Sequence, residues 1–178
     1  APDELTVIVD SGGHQVVPPG SPTRAGGSAK MIYKWIDISQ ETTFPPDVNA
    51  AVQRCGDAKY HHYGKGRHVI HAFGPDLRKM PDAQDQVVSV LAATYRSILS
   101  EFVDSGLPVL RLLPVSGGIF AGSYQERMPE LTVTALRQGF LALPFEKQAE
   151  VLGRRVDICI FMESELGVFE SALAGPAA

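Results

Sequence analysis

The sequence lacks the features of secreted, membrane-spanning and strongly nucleic-acid-binding proteins. Its two cysteines, Cys55 and Cys159, form neither a disulfide framework nor a metal-ligand spacing, which favours a reducing, cytoplasmic compartment. No apolar run approaches the roughly 20 residues of a membrane span, and no signal-peptide pattern is present. We therefore expect no membrane partner, and the net charge of −4 predicts no general attraction to nucleic acid.

The length of the chain predicts one domain. Its 178 residues are enough to bury a substantial core, and 44% hydrophobic against 20% charged residues is the balance of a globular protein. We expect a single domain over residues 1–178, because no repeat, linker or low-complexity tract interrupts it. The chain begins with Ala-Pro and not with Met, so we interpret it as a processed product or a fragment of a longer polypeptide.

Apolar runs alternate with helical patterns along the chain. Strands are predicted over residues 5–9, 68–73, 109–113 and 156–162, with a shorter candidate at 15–17. Helices are predicted over residues 30–36, 48–54, 83–103, 127–143 and 166–173, the third with Asp82 as its N-cap. The last three long strands are almost continuously apolar, which is typical of strands covered by helices on both faces. The alternation predicts an α/β fold.

The most informative motif is PVSGGIFAG at 114–122, which follows a predicted buried strand and precedes a predicted helix. Glycine lets the backbone turn sharply and approach a ligand closely, so that consecutive N–H groups can surround phosphate oxygens. A second glycine turn, Gly26-Gly27-Ser28, stands before another predicted helix. Two such loops at one edge of a sheet would hold a diphosphate from both sides. One such loop by itself is also explained by an ordinary tight turn.

Several segments together resemble the macrodomain, the ADP-ribose-binding α/β/α module, and most of all the macrodomains of alphavirus non-structural polyproteins. The resemblance lies in GGSAKMIYK at 26–34, GDAKYHHYG at 56–64, VIHAFGPDLR at 69–78 and LLPVSGGIFAG at 112–122. It implies a three-layer α/β/α sandwich with a mixed central sheet. It also implies a monomeric module of a larger polyprotein in the host cytoplasm, with ADP-ribose or mono-ADP-ribosylated proteins as partners and without a cofactor or metal.

The resemblance assigns ligand contacts to positions of this chain. Asp10, at the end of the first strand, would accept the adenine amino group, although a solvated strand end is the plain alternative. Phe120 would pack on the distal ribose and Met162 would lie beside the adenine, although both residue types are as common in cores. The phosphate loops would comprise Gly27 and Ser28 on one side and Ser116, Gly117, Gly118, Ile119 and Phe120 on the other.

Departures from the family pattern weaken the case for catalysis. The family's first loop carries Asn-Ala-Ala-Asn, whose matching strand end we place at residues 16–21, so that the second Asn falls on Ser21. The acidic residue that assists the attacking water falls on Gly26 or Ala29. Catalytic residues are therefore not identified, with Ser21 and His14 as weak candidates. His71 matches a structural histidine that is hydrogen-bonded in the sheet, and the adjacent His61 and His62 are expected in a loop without metal-ligand spacing.

Three functions follow from this pattern. The first is binding of ADP-ribose or mono-ADP-ribosylated protein, with hydrolysis weak or absent. The alternative is a mono-ADP-ribosyl hydrolase of viral type. A further alternative is an RNA- or polyadenylate-binding module with a basic rim near Tyr60 and Tyr63. The basic residues of that rim would be Lys59, Lys65, Arg67, Arg78 and Lys79.

Overall fold

A five-stranded mixed sheet forms the centre of the molecule in the computed structural model, which describes residues 2–80 and 83–175. The strands are β1 Thr6–Asp10, β2 Ala58–Tyr63, β3 Arg67–Ala72, β4 Val109–Leu112 and β5 Arg155–Ile158. Their order is β2-β3-β1-β4-β5, with β2 antiparallel to β3 and the other neighbours parallel. Because β3, β1, β4 and β5 are parallel, their carboxyl ends meet at one edge of the sheet.

Helices cover both faces of the sheet. They are α1 Gly27–Trp35, α2 Pro46–Ala51, α3 Gln84–Asp104, α4 Met128–Leu141, α5 Phe145–Leu152 and α6 Leu166–Ala174. One core cluster joins α3, α4 and α5 to one face of the sheet, and a second joins α1 and α2 to the other. In β3, Ile70 belongs to the first cluster and its neighbour Val69 to the second, as the alternation of a strand requires. The predicted three-layer α/β/α sandwich is confirmed.

Local sequence signals placed most of these elements within a few residues. The long helix α3 follows its apolar periodicity, with Val87, Leu91, Tyr95, Ile98 and Phe102 fully buried. Its predicted N-cap, Asp82, lies outside the described residues, and Ala83 occupies the N-cap position. Within the described ranges, no helix is both long and apolar enough to cross a membrane.

The structure corrects three predicted elements. Residues 15–17 do not form a strand, because the chain enters a 3₁₀ turn at Gly13–Gln15 and then meets Pro18-Pro19. Residues 58–63 are not a loop but the edge strand β2, whose polar Tyr-His-His-Tyr sequence hides its pairing with β3. The last strand ends at Ile158, four residues before the predicted end, and α5 was not predicted.

Candidate ligand-binding cleft

A cavity of about 620 Å³ lies at the carboxyl ends of the parallel strands. Four segments line it, each following or preceding a regular element. They are residues 11–15 after β1, residues 26–31 at the start of α1, residues 113–120 after β4, and Phe161, Glu165 and Phe169 after β5, with Met128 of α4. The sheet order therefore brings together loops that are more than 150 residues apart in sequence, and the volume is within the range of small-molecule sites.

The first glycine turn forms the N-terminus of α1 in the wall of the cavity. Gly27 opens the helix with a φ of +54°, a conformation that favours glycine. Within the described residues, the backbone N–H groups of Gly27, Ser28 and Ala29 have no acceptor, since the first intrahelical bond runs from Lys30 to Gly26. These free N–H groups and the positive end of the helix dipole make this wall suitable for an anion.

The second glycine loop is anchored from below and open toward the cavity. The Ser116 hydroxyl donates to the Pro75 carbonyl oxygen at 2.6 Å, and the Val115 N–H donates to the Tyr95 hydroxyl at 2.9 Å. Burial raises the pKa of Tyr95 to about 12, which keeps this hydroxyl protonated. The N–H groups of Gly118, Ile119 and Phe120 find no acceptor in the described part of the chain. Two rows of open backbone donors therefore line the same cavity.

The structure does not place Asp10 in the cavity wall. Its carboxylate is 1% exposed, Oδ1 accepts the Gly12 N–H at 2.9 Å, and Oδ2 accepts the Tyr33 hydroxyl at 2.7 Å. The same Oδ2 lies 2.8 Å from Nδ1 of His71, whose Nε2 lies 2.8 Å from the Tyr63 hydroxyl. Both oxygens are thus occupied inside the protein, so Asp10 shapes the loop after β1 and is not the adenine acceptor that we predicted.

This network also fixes the state of the two tyrosines. Burial, together with the neighbouring Asp10 carboxylate, raises the pKa of Tyr33 well above its usual value and raises that of Tyr63. Both hydroxyls therefore remain donors at every physiological pH. His71 is fully buried and hydrogen-bonded, in agreement with the structural role expected for it.

The loop that borders the cavity at this strand end is not the segment that we matched to the family's first loop. β1 lies between β3 and β4, so the strand end that opens on the cavity is that of Asp10 and not residues 16–17. Ser21 does not line the cavity, and its hydroxyl pairs with that of Thr23 at 2.7 Å. The catalytic assignment of Ser21 is therefore wrong in geometry. The loop that replaces it, residues 10–13, contains no asparagine either.

Glycine is required in this relocated loop. A Cβ at Gly13 would lie 2.6 Å from backbone atoms of Ala72 and Phe73, and a Cβ at Gly12 would lie 2.9 Å from Oδ1 of Asp10. A larger residue at Gly13 would push the loop away from the end of β3, and one at Gly12 would collide with the Asp10 carboxylate and the Ala29 side chain. The loop therefore contributes backbone and the side chains of Ser11, His14 and Gln15 to the cavity.

The side chains of His14 and Phe120 are in contact in the wall of the cavity. Their ring centroids lie 4.9 Å apart in an edge-on arrangement, and the Arg78 guanidinium lies 4.8 Å from the Phe120 ring centroid. Burial lowers the pKa of His14, against the opposing effect of the Asp10 and Asp76 carboxylates. Its Nε2 lies 2.8 Å from the side-chain nitrogen of Gln15. A neutral imidazole can accept a hydrogen bond from that NH₂ group.

The chain after β5 contributes cavity-lining residues that the sequence did not single out. Met162 does not line it, whereas its neighbour Phe161 does, with 94% of the side chain exposed. Glu165 and the buried Phe169 also line the cavity. The apolar run from 156 to 162 was the available signal, but it could not show which side chain would border the cavity once the strand had ended.

The predicted basic rim does not form a continuous surface. Arg67 and Lys65 lie beside Asp37 at the β2–β3 turn, and Lys59 lies 3.4 Å from Glu101. Arg78 and Lys79 lie at the far end of β3, both beside Asp76, whose pKa the Arg78 hydrogen bond holds at about 2. Each predicted cation therefore has a carboxylate partner. The described residues also contain no group of three or more side chains suited to hold a metal ion.

Solved structures with the same architecture identify the fold. The macrodomain of Oceanobacillus iheyensis, solved with ADP, superposes with a TM-score of 0.64 over 97% of this chain and 84% of its own, at 18% identity. This chain has the macrodomain fold. The Trypanosoma brucei macrodomain in complex with ADP-ribose superposes with a TM-score of 0.55 over 93% of this chain and 61% of its own, at 16% identity.

A viral macrodomain-fold structure is equally similar. The alphavirus P23pro-zbd superposes with a TM-score of 0.64 and 21% identity over 94% of this chain. This chain spans only 21% of that alphavirus chain. No protein-family model matches the sequence, and no curated protein matches it. The likeness to macrodomains thus lies in the fold more than in the sequence.

Proposed function

We propose that the cleft binds ADP-ribose, either free or attached to a protein, by holding its diphosphate between the α1 N-terminus and the loop after β4. The observation that carries this proposal is that Gly27–Ala29 and Gly118–Phe120 line one cavity and direct no backbone N–H to an acceptor in the described chain. A diphosphate supplies the acceptors that these donors lack. The Oceanobacillus and Trypanosoma macrodomains, solved with ADP or ADP-ribose, support the choice of ligand.

The electrostatics of the cleft suit an anion held by backbone groups. No lysine or arginine stands among the described residues that line the cavity. The favourable charge therefore comes from the aligned peptide dipoles of α1 and from the loop amides. Such a site binds a diphosphate without the long-range attraction that a cluster of lysines would exert on nucleic acid.

Binding with little turnover fits the rest of the site. Hydrolysis of an ADP-ribosyl bond needs a water held at the anomeric carbon and a group that activates it. Residues 10–13 supply no asparagine to orient the ribose, and Gly26 and Ala29 supply no carboxylate beside it. His14 is the one imidazole among the described residues that line the cavity, and it stands as the alternative base.

Calorimetry with ADP-ribose tests the proposal, with ADP, ribose 5-phosphate and a short polyadenylate as comparison ligands. We expect one saturable site that prefers ADP-ribose to ADP, because the distal ribose gains the contact with Phe120. Polyadenylate should bind weakly. Failure of ADP-ribose to bind would overturn the proposal. Polyadenylate binding with a steep salt dependence would instead establish the nucleic-acid module.

A further inference from the structure

The two edges of the sheet differ in how their outward-facing backbone groups are used. At the β2 edge, the Tyr60 N–H donates to Oε2 of Glu101 on α3 at 2.8 Å, and Lys59 lies beside the same carboxylate. At the β5 edge, the outward backbone groups have no such partner within the described residues. Unpaired N–H and C=O groups at a sheet edge can pair with another strand, and proteins usually cover or block them. This protein blocks one edge and leaves the other open.

The hydrogen bonds between β5 and β4 identify the open groups. The N–H groups of Arg155 and Cys159 donate at 2.9 and 2.7 Å to carbonyl oxygens at or next to the two ends of β4. Alternate residues of a strand face the same neighbour, so Asp157, between these two, also faces β4. Val156 and Ile158 therefore direct their backbone groups outward, and no described residue accepts their N–H groups.

The side chains of β5 fit a second copy of the same strand in one register. When two copies run antiparallel about a twofold axis at Val156, the two Val156 residues exchange both of their outward hydrogen bonds. Arg155 then lies opposite Asp157 of the partner subunit, and the same contact repeats on the other side of the axis. Opposite charges in facing positions stabilise a strand pair, and like charges destabilise it. A twofold axis at Asp157 would place two carboxylates opposite each other, so the charges favour the axis at Val156.

The charged side chains of β5 are available for this contact. Nε of Arg155 lies 2.7 Å from Oδ1 of Asp157, so both side chains stand on one face of the sheet. The Arg155 side chain is 70% exposed, and its guanidinium has further donors for a second carboxylate. Pairing of two copies therefore produces an alternating group of two guanidiniums and two carboxylates across the twofold axis.

Exposed apolar side chains stand at both ends of the open edge. Leu152, three residues before β5, is 76% exposed, and Phe161, three residues after it, is 94% exposed. Antiparallel pairing sets the beginning of each strand against the end of its copy, which brings Leu152 of one copy toward Phe161 of the other. Both side chains then lose contact with water, which favours association. Phe161 also lines the cavity, so the partner would stand beside the mouth of the cleft.

We propose that the protein forms a symmetric dimer in which β5 pairs antiparallel with its copy, centred on Val156, and joins the two five-stranded sheets into one. The partner is a second copy of this chain, in place of the monomer that the resemblance implies. The contact needs no ligand and is independent of the proposed function. One short strand and two apolar contacts form a small interface, so we expect a dissociation constant of about 10–100 µM.

Sedimentation equilibrium over a concentration range that spans this value measures the association of the wild-type protein. Arg155→Asp should weaken the dimer about 10-fold or more, because a carboxylate then faces Asp157 on both sides of the axis. The double variant, Arg155→Asp with Asp157→Arg, exchanges the two charges and should recover most of that loss. Recovery of this kind requires the two positions to face each other, since a merely local effect would make the double variant worse.

Val156→Pro tests the backbone contact. It removes the outward N–H and leaves the hydrogen bonds of β5 to β4 in place, which an edge strand tolerates, and it should abolish the dimer. Circular dichroism shows whether each variant is folded. Arg96→Asp is the matched control, because it makes the same charge change on an exposed residue of α3 beside the start of β2. It should dimerise as the wild-type protein does.

Two results would overturn the proposal. The first is a wild-type protein that remains monomeric at concentrations well above about 100 µM. The second is a dimer that neither Arg155→Asp nor Val156→Pro weakens, since its contact would then lie elsewhere on the surface.

Discussion

The Oδ2 atom of Asp10 lies 2.8 Å from Nδ1 of His71, and the two side chains are 1% and 0% exposed. The pair joins the last residue of β1 to its partner in the register of β3. Through Oδ1, the same carboxylate holds the N–H of Gly12, the first step of the loop into the cavity. The buried network therefore connects sheet pairing to the shape of the cleft.

Asp10→Ala should destabilise the protein by about 3 kcal/mol, because it leaves three buried donors without an acceptor. Urea denaturation followed by circular dichroism measures the change in the free energy of unfolding. Tyr33→Phe, which removes a single donor, should cost about 1 kcal/mol. A loss below 0.5 kcal/mol for Asp10→Ala, on the order of an ordinary surface substitution, would show that the network contributes nothing to stability.

The misassignment of Asp10 shows where sequence information ends. The runs that became β3 and β4 and the periodicity of α3 are local signals, and each appeared at its predicted place. Whether β1 lies at an edge or between β3 and β4 depends on pairing with residues that are about 60 and 100 positions away. We assigned the role of Asp10 by counting from the Ala-Pro start of the chain, and that count could not show which strands lie beside β1.

The same limit applies to Phe161 and Glu165. The two phosphate-loop candidates carry a glycine signature that is visible in the sequence, and both lie in the cavity wall. Phe161 and Glu165 have no such signature, because they border the cavity only through the position of β5 beside β4. Glycines and continuous apolar runs were thus readable, whereas side chains contributed by neighbouring loops were not.

Gly118→Glu should abolish ADP-ribose binding and leave the fold intact. No atom lies within 4 Å of a Cβ at Gly118, so the added side chain meets no neighbour in the fold. The added carboxylate stands beside the proposed diphosphate and blocks close approach to the loop amides. Calorimetry and a thermal melt measure the two effects.

Gly64→Glu is the control for that substitution. Gly64 also has open space around its Cβ, and it lies in the β2–β3 turn, away from the cavity. This variant should bind ADP-ribose as the wild-type protein does. Unchanged affinity in a folded Gly118→Glu variant would contradict the role of the second loop as a phosphate cradle.

Stability should fall as the pH is lowered from about 7.5 to 5.5. Burial lowers the pKa of His14 and of His68 in the folded protein, so the unfolded chain, with a histidine pKa of about 6.5, takes up protons first. The stability that comes from keeping these histidines neutral is complete above the unfolded pKa of about 6.5. It is lost as the pH falls through the lower pKa of the folded protein. Melting temperatures across this range should show a shallower decline for His14→Gln. An identical slope in wild type and His14→Gln would refute the argument.

Hydrolysis of a mono-ADP-ribosylated protein should remain near background, although ADP-ribose binds. The loop after β1 has glycines where a ribose-orienting side chain would stand, and neither Gly26 nor Ala29 can position or activate water. Each missing positioning or acid–base group costs on the order of 10²-fold, so two together leave about 10⁻⁴ of the rate of a fully equipped site. The assay follows release of ADP-ribose from a protein modified on an acidic residue, beside a binding titration of the same preparation.

Robust turnover would overturn the binder assignment. His14 would then be the base to test, since its neutral imidazole lies beside Phe120 in the cavity, and His14→Ala would have to slow release without weakening ADP-ribose binding to the same extent.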